Sequence, residues 1–289
     1  MRKTKLFAII LTLVLAAGMF AACGNSTPEP APAPDPAPAA DPAPAPDPEP
    51  EAPAIEGDIM IAAAASLQNA FEGDLIPLFK EQQPGITVTG TYDSSGKLQT
   101  QIEEGLDAQV FFSAATKQMN ALVDGGFIDS ANVINLLENQ VVLITGVNTD
   151  TAVTSFENIT DAARIAIGDP GSVPAGQYAQ EILTSLGLWD AVQAGSPSEG
   201  TNVTEVLNWV AEGSAEVGIV YATDAASMAD KVKIIAVAAP DTMENAVIYP
   251  VGLQTDIAGD KSDAAKAFFE FLQSSEALAI FADYGFKAA

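Results

Sequence analysis

Apolar runs of four to eight residues alternate along the chain with segments in which apolar residues recur at helical spacing. Leu67, Phe71 and Leu75 show this spacing in the first such segment, and a last helix is expected over 264–281. The alternation predicts an α/β fold with mostly parallel sheets and helices on both faces. The predicted strands are 59–65, 86–91, 108–113, 140–145, 164–167, 217–221, 232–237 and 246–253.

The N-terminus has the pattern of a secretory signal over residues 1–22. Arg2, Lys3 and Lys5 precede an apolar run over 6–15, which is too short to span a bilayer. Cys23, the only cysteine, follows small residues directly, as in the bacterial lipoprotein processing box, where cleavage leaves a lipid-carrying cysteine at the new N-terminus. An ordinary signal with an incidental cysteine is the alternative, although a lone cysteine has no partner within the chain.

Proline dominates the segment that follows. Residues 24–57 contain 12 of the 19 prolines, so this stretch favours extended polyproline II and cannot build a core. We interpret residues 23–57 as the lipid-anchor cysteine and a semi-rigid spacer, with the folded part starting at Asp58. A ligand for a proline-recognition domain is the alternative interpretation.

Charge and residue counts exclude several functions. With 38 acidic and 12 basic residues, a formal charge of −26 argues against nucleic acid as a partner and against an anionic lipid surface. The absence of histidine excludes a Ser-His-Asp triad, a Cys-His pair and a histidine-ligated zinc site. We therefore expect no catalytic residues of these kinds, no cofactor and no ligands to a metal cation.

The arginine count narrows the class of ligand. Arg164 is the only arginine outside the signal, whereas proteins that bind amino acids or carboxylates usually clamp the carboxylate with a bidentate arginine. A small, fully ionised oxyanion held by neutral donors fits this composition better. No pair of carboxylates stands out for glycosidase chemistry, and we interpret Asp169 and Asp224, at strand ends, as solvated caps.

Four predicted strand-to-helix junctions consist of small and hydroxyl-bearing residues. In open α/β sheets, ligands bind at the carboxyl ends of strands, where helix N-termini present unpaired N–H groups and partial positive charge. Four unrelated helix caps are the alternative. The junctions are Ser66, interpreted as an N-cap; Ser94-Ser95-Gly96; Pro174-Ala175-Gly176, with Pro174 in the first turn; and Asn202 before Val203, with Glu205 completing a capping box.

An ordered set of short motifs runs through residues 58–289. The motifs lie at 63–67, 94–95, 111–114, 166–170, 173–176, 218–221, 249–251 and 284–286. In this order they resemble the periplasmic molybdate-binding proteins that serve ABC transporters. Each motif alone is weak, whereas the ordered set is specific.

The resemblance implies a two-lobed periplasmic-binding-protein fold of type II with a hinge of crossing strands. Lobe 1 would comprise 58–139 with 247–289, and lobe 2 would comprise 140–246. The implied ligand is molybdate or tungstate. It would be held by the hydroxyl and backbone N–H groups of Ser66 and Ser95, the backbone N–H groups of Ala175 and Val203, and the hydroxyl of Tyr221.

Lys97 departs from the family pattern, because some relatives have a third hydroxyl and no lysine in this loop. It is either an additional ligand contact or a helix-surface lysine that faces water.

The sequence thus predicts a monomeric, extracytoplasmic solute-binding protein that is anchored to the bacterial membrane by lipid on Cys23. It would deliver molybdate or tungstate to an ABC permease and would not be an enzyme. Two alternatives remain open at this point. One is a binding protein for another tetrahedral oxyanion, such as sulfate or phosphate, and the other is a secreted carboxylate-dependent enzyme on the same fold.

Overall fold

The computed structural model describes residues 55–259 and 261–289. The predicted signal peptide, Cys23 and most of the proline-rich segment lie outside the described residues. Within them the strands are β1 Gly57–Ala64, β2 Ile86–Asp93, β3 Val110–Phe112, β4 Ile128–Asn139, β5 Val141–Gly146, β6 Ile165–Gly168, β7 Ser198–Gly200, β8 Val217–Tyr221, β9 Val232–Val237, β10 Val247–Gln254 and β11 Lys287–Ala288.

Helices connect most of these strands. The segment that follows β1 is irregular, with a 3-10 turn Ala65–Leu67 and a π-turn Phe71–Leu75. The α-helices are α1 Gln68–Ala70, α2 Ile76–Gln82, α3 Ser95–Glu103, α4 Thr116–Asp124, α5 Pro174–Ser185, α6 Trp189–Ala194, α7 Val203–Ala211, α8 Ala222–Ser227, α9 Lys261–Phe271 and α10 Ser275–Asp283.

The strands form two sheets. The first has the order β11-β4-β10-β3-β1-β2 and the second has the order β7-β6-β8-β5-β9. Pairing is parallel around β1 and β6 and antiparallel around β10 and β5, so both sheets are mixed rather than mostly parallel. The antiparallel strands are those next to the two crossings of the chain, β4 to β5 and β9 to β10. The predicted α/β class is confirmed.

Helices cover both faces of the first sheet. Side chains alternate across β1, so that Ile61 packs into a core with Phe71, Phe268 and Phe281, while Ala62 packs into a second core. Leu98, Ile102, Met119 and Leu122, from α3 and α4, line that second core. Two buried faces explain why β1 is apolar along most of its length.

Two predictions about secondary structure were wrong or incomplete. Three strands, β4, β7 and β11, were missed. Most residues of β4 are exposed or half-buried and show no clean alternation, and β7 and β11 have only three and two residues. The single helix expected over 264–281 is two helices, because the hydroxyl of Ser274 accepts a hydrogen bond from the Ala277 N–H (3.1 Å) and starts α10 as its N-cap.

In residues 55–259 and 261–289, no helix has both the length and the apolar character needed to cross a membrane.

One carboxyl group is buried where β8 passes into α8. Asp224 is 5% exposed, and its Oδ2 accepts a hydrogen bond from the Tyr221 N–H (3.1 Å). Burial raises the pKa of Asp224 to about 7 from an ordinary value near 3.8. The interpretation of Asp224 as a solvated cap was therefore wrong. Asp169, in contrast, caps its own loop, accepting from the Gly171 N–H and the Ser172 hydroxyl.

The raised pKa predicts that Asp224 lowers stability once it is ionised. The folded protein holds this proton more tightly than the unfolded chain does, so the free energy of unfolding should fall as the pH rises from about 4 to about 7. Relative to Asp224→Asn, the wild type should lose roughly 2 to 4 kcal/mol across this window. Urea unfolding at a series of pH values measures the difference. Asp283→Asn, at an exposed position, is the control. Equal dependence of the free energy of unfolding on pH in the two variants would contradict the prediction.

Candidate functional site

Ser66 lies directly after β1. The prediction that it is an N-cap was wrong, because the chain turns two residues earlier, at Ala64, and Ser66 lies inside the 3-10 turn. Its hydroxyl instead forms a hydrogen bond of 2.9 Å with the hydroxyl of Tyr249 in β10. Ser66 also lines a cavity of about 110 Å³ together with Thr223 and Asp224, but none of the other four predicted site residues lines it.

Tyr221 ends β8 and connects the second sheet with the first. Its ring centroid is 5.6 Å from that of Tyr249 and 6.5 Å from that of Tyr178 in α5. The side chain is 1% exposed, and its buried hydroxyl has no hydrogen-bond partner among the described residues. Burial, followed by interaction with the neighbouring Tyr249 hydroxyl, raises the pKa of Tyr221, and burial raises the pKa of Tyr249. Both side chains therefore keep the proton that a hydroxyl donates.

Ser95 is the first residue of α3 and is fully buried. The preceding Ser94 is the N-cap of this helix, with its hydroxyl accepting from the Lys97 N–H (3.4 Å). The hydroxyl of Ser95 accepts a hydrogen bond from the Ala114 N–H (2.9 Å). Because that nitrogen can only donate, the proton of the Ser95 hydroxyl remains available to another acceptor.

Ala175 lies in the first turn of α5, behind Pro174, as the sequence predicted. N–H groups in a first turn have no acceptor within the helix. The helix start lies so close to the end of β6 that a Cβ at Gly176 would overlap the Gly168 carbonyl. In the same loop, the Ser172 carbonyl accepts a hydrogen bond of 3.0 Å from the Gly96 N–H. The Ser95 and Ala175 junctions are therefore in direct contact.

Val203 is the first residue of α7, and Asn202 is its N-cap, as predicted. The Asn202 side chain accepts from the Glu205 N–H (3.0 Å) and donates to Asp93 Oδ1 (3.4 Å). The same carboxylate oxygen accepts from the Ser94 N–H (2.8 Å). This shared oxygen places the start of α7 beside the Ser95 junction.

The side chains of Lys97 and Arg164 both have polar partners within the chain. Lys97 Nζ lies 3.4 Å from Asp93 Oδ1, as an ion pair between the first turn of α3 and the end of β2. Arg164 donates to the carbonyls of Gly213 and Ser214, at the amino end of β6 and thus away from the junction at its carboxyl end. In the part of the chain that the structure describes, no cluster of acidic, cysteine or histidine side chains could hold a metal ion.

These contacts join the sequence-predicted positions in two groups: Tyr249 contacts both Ser66 and Tyr221, and the loops of the other three positions contact one another. We call Ser66, Ser95, Ala175, Val203 and Tyr221 the donor site. Each contributes a neutral hydroxyl or backbone N–H, and none carries charge. Such a set can bind an anion but offers no strong base or nucleophile. Sequence reasoning missed Asn139, which lies in the undetected strand β4, and assigned no role to Tyr249, although Tyr249 lies in a noted motif.

Comparison with known proteins gives consistent matches over the folded part. The family model for bacterial extracellular solute-binding proteins matches residues 59–287. YvgL of Bacillus subtilis, which carries the provisional name ABC transporter substrate-binding lipoprotein, is 42% identical over 80% of this chain and 86% of its own. The molybdate-binding protein ModA of Escherichia coli is 37% identical over 81% of this chain and 91% of its own.

Solved structures share the fold at lower identity. The periplasmic molybdate-binding protein of Azotobacter vinelandii superimposes with a TM-score of 0.67 at 24% identity, covering 79% of this chain and 98% of its own. The sulfate-binding protein SubI of Mycobacterium tuberculosis gives 0.66 at 17% identity, covering 80% and 87%. The fold alone therefore does not select the anion, but the family match spans nearly all of the described residues. The chain belongs to the family of bacterial extracellular solute-binding proteins.

Proposed function

We propose that this chain captures molybdate or tungstate at the donor site and delivers it to an ABC permease. The observation that carries the proposal is the buried hydroxyl of Tyr221, which has no partner among the described residues. An unpaired buried hydroxyl costs about 1 to 3 kcal/mol, so it is retained where a ligand supplies the missing acceptor. Relatives named for molybdate binding support this choice of anion.

Neutral donors suit a fully ionised oxyanion. Hydrogen bonds to a charged acceptor contribute about 1.5 to 3 kcal/mol each, so several of them replace a positive side chain. The Ser95 hydroxyl accepts one hydrogen bond from the Ala114 N–H and keeps its proton for a ligand. Molybdate and tungstate present only acceptor oxygens, whereas phosphate near neutral pH keeps a proton that needs an acceptor.

The two sheets, with their helices, would act as the two lobes 58–139 with 247–289 and 140–246. Hydrogen bonds now join helices and loops of these two parts, from the Gly96 N–H to the Ser172 carbonyl and from Gln118 to Gln177 (3.1 Å). Short connections at Gln140 and at 238–246 would serve as the hinge. Closure would then remove the anion from water, and opening would release it to the permease. We propose no catalytic step and a monomeric state.

We further propose that Cys23 carries lipid after signal cleavage and holds the protein on the outer face of the cell membrane. The lipoprotein name of YvgL supports this assignment. Mass spectrometry of the N-terminal peptide tests it, and an unmodified or uncleaved N-terminus in the wild type would contradict it.

The anion assignment predicts a selective thermal shift. Molybdate and tungstate should each bind at one equivalent per chain and raise stability by about 2.7 kcal/mol at a hundredfold excess over Kd. Sulfate should stabilise far less, because a smaller anion does not reach all the donors at once, and phosphate should do so because of its proton. Calorimetry and thermal unfolding measure these effects. Equal affinity for sulfate and molybdate would favour the other oxyanions, and turnover of a substrate would favour the enzyme alternative.

Gly96→Ala should lower the affinity for molybdate with little effect on the stability of the protein. A Cβ at this position would overlap the backbone of Ser172, so the two sheets could not approach as closely. Molybdate affinity should therefore fall about tenfold or more, the cost of losing a charge-assisted contact. Stability without ligand should change by about 1 kcal/mol or less, because the helix preference of alanine offsets the loss of the contact with Ser172.

The control for Gly96→Ala is Gln101→Ala, an exposed position of the same helix where alanine also raises helix propensity. It should leave the affinity unchanged. Unchanged affinity in Gly96→Ala, measured by calorimetry, would show that closure at this contact is not required.

A further inference from the structure

Asn139, at the end of β4, occupies the crossing between the two sheets and uses every polar atom of its side chain. Its Oδ1 accepts from the Gln140 N–H (2.8 Å), and its Nδ2 donates to the hydroxyls of Thr223 (2.9 Å) and Tyr249 (3.2 Å). The bond from Gln140 fixes which end of the amide is oxygen. Asn139 is therefore an obligate donor to Tyr249.

This donor sets the direction of the next hydrogen bond. The hydroxyl of Tyr249 forms hydrogen bonds with Asn139 and Ser66. The Tyr221 hydroxyl is a further neighbour, and after burial it is the interaction with Tyr249 that raises the pKa of Tyr221. Since the Asn139 amide cannot accept, the proton of Tyr249 is directed to the Ser66 oxygen. That oxygen then accepts, and the proton of the Ser66 hydroxyl is left for a ligand.

We infer that Asn139 is a positioning residue that makes Ser66 a donor through Tyr249, and that it thereby sets selectivity against protonated oxyanions. This inference rests on the proposed function. Ser95 reaches the same state directly, because a backbone N–H occupies its oxygen. The direction of the Ser66 hydroxyl can thus be reversed by a side-chain change, whereas that of Ser95 cannot.

The substitution Asn139→Asp should reverse the direction of the Ser66 hydroxyl. A carboxylate at this position accepts the proton of Tyr249, so Tyr249 accepts from Ser66, and Ser66 turns a lone pair toward the ligand. Molybdate then loses a donor, while hydrogen phosphate gains an acceptor for its proton. In mildly alkaline buffer both anions are divalent, so the added negative charge weakens both to a similar extent.

The experiment is calorimetry of the full-length protein with molybdate, tungstate and phosphate. In Asn139→Asp the ratio of molybdate to phosphate affinity should fall by about tenfold or more, the equivalent of one charge-assisted hydrogen bond. The ratio of molybdate to tungstate should not change, because both are fully ionised. Asn135→Asp, at an exposed position of the same strand, adds the same charge and should leave both ratios as in the wild type.

Tyr249→Phe keeps the test open if Asn139→Asp does not fold. It frees the Ser66 oxygen to accept, so the molybdate-to-phosphate ratio should again fall, by about threefold, and adding Asn139→Asp should change it no further. A purely structural role would weaken all anions equally and leave the ratio constant, which would overturn the inference. Failure of the wild type to bind molybdate would instead overturn the proposed function.

Discussion

The buried hydroxyl of Tyr221 needs a hydrogen-bond acceptor that the described part of the chain does not supply. Burial raises the pKa of this hydroxyl, so it keeps its proton at neutral pH and remains a donor. A fold retains such a group only where another gain offsets its cost. An anion that arrives from solution would provide that gain.

The architecture follows from bringing such donors together. Backbone N–H groups are free only at helix N-termini, and each helix supplies one such end, so several strand-to-helix junctions have to meet. Two sheets joined by crossing strands achieve this, because the carboxyl ends of β1 and β2 face those of β6 and β8. Tyr249 connects the two sets, since it contacts Ser66 on one side and Tyr221 on the other.

The helix starts and most of the buried strands could be predicted from the sequence, because they depend on local signals. Pro174 and Asn202 mark helix starts by their own conformational preferences, and the strands of the buried sheets are short apolar runs. The strand β4 gave no such signal, because its exposed residues include polar ones on both faces. The N-cap role predicted for Ser66 was wrong. Its hydroxyl bonds to Tyr249, which lies 183 residues away, and no local sequence pattern indicates such a contact.

The burial of individual polar side chains could not be predicted from the sequence either. Asp224 follows a strand, just as the loop cap Asp169 does, yet its carboxyl group is buried in the folded protein, and this burial raises its pKa to about 7. The contacts of Asn139 were hidden for a related reason, because they connect three segments that meet only when the chain crosses between the sheets. Long-range packing, which no short window encodes, decides both cases.

Tyr221→Phe tests most directly the claim that the fold keeps an unpaired donor for its ligand. The variant removes one buried oxygen and keeps the ring that packs against Tyr178 and Tyr249. Calorimetry with molybdate and urea unfolding without it measure the two consequences. The account predicts about tenfold or more loss of affinity, with stability unchanged or higher by about 1 kcal/mol. Loss of stability with unchanged affinity would contradict it.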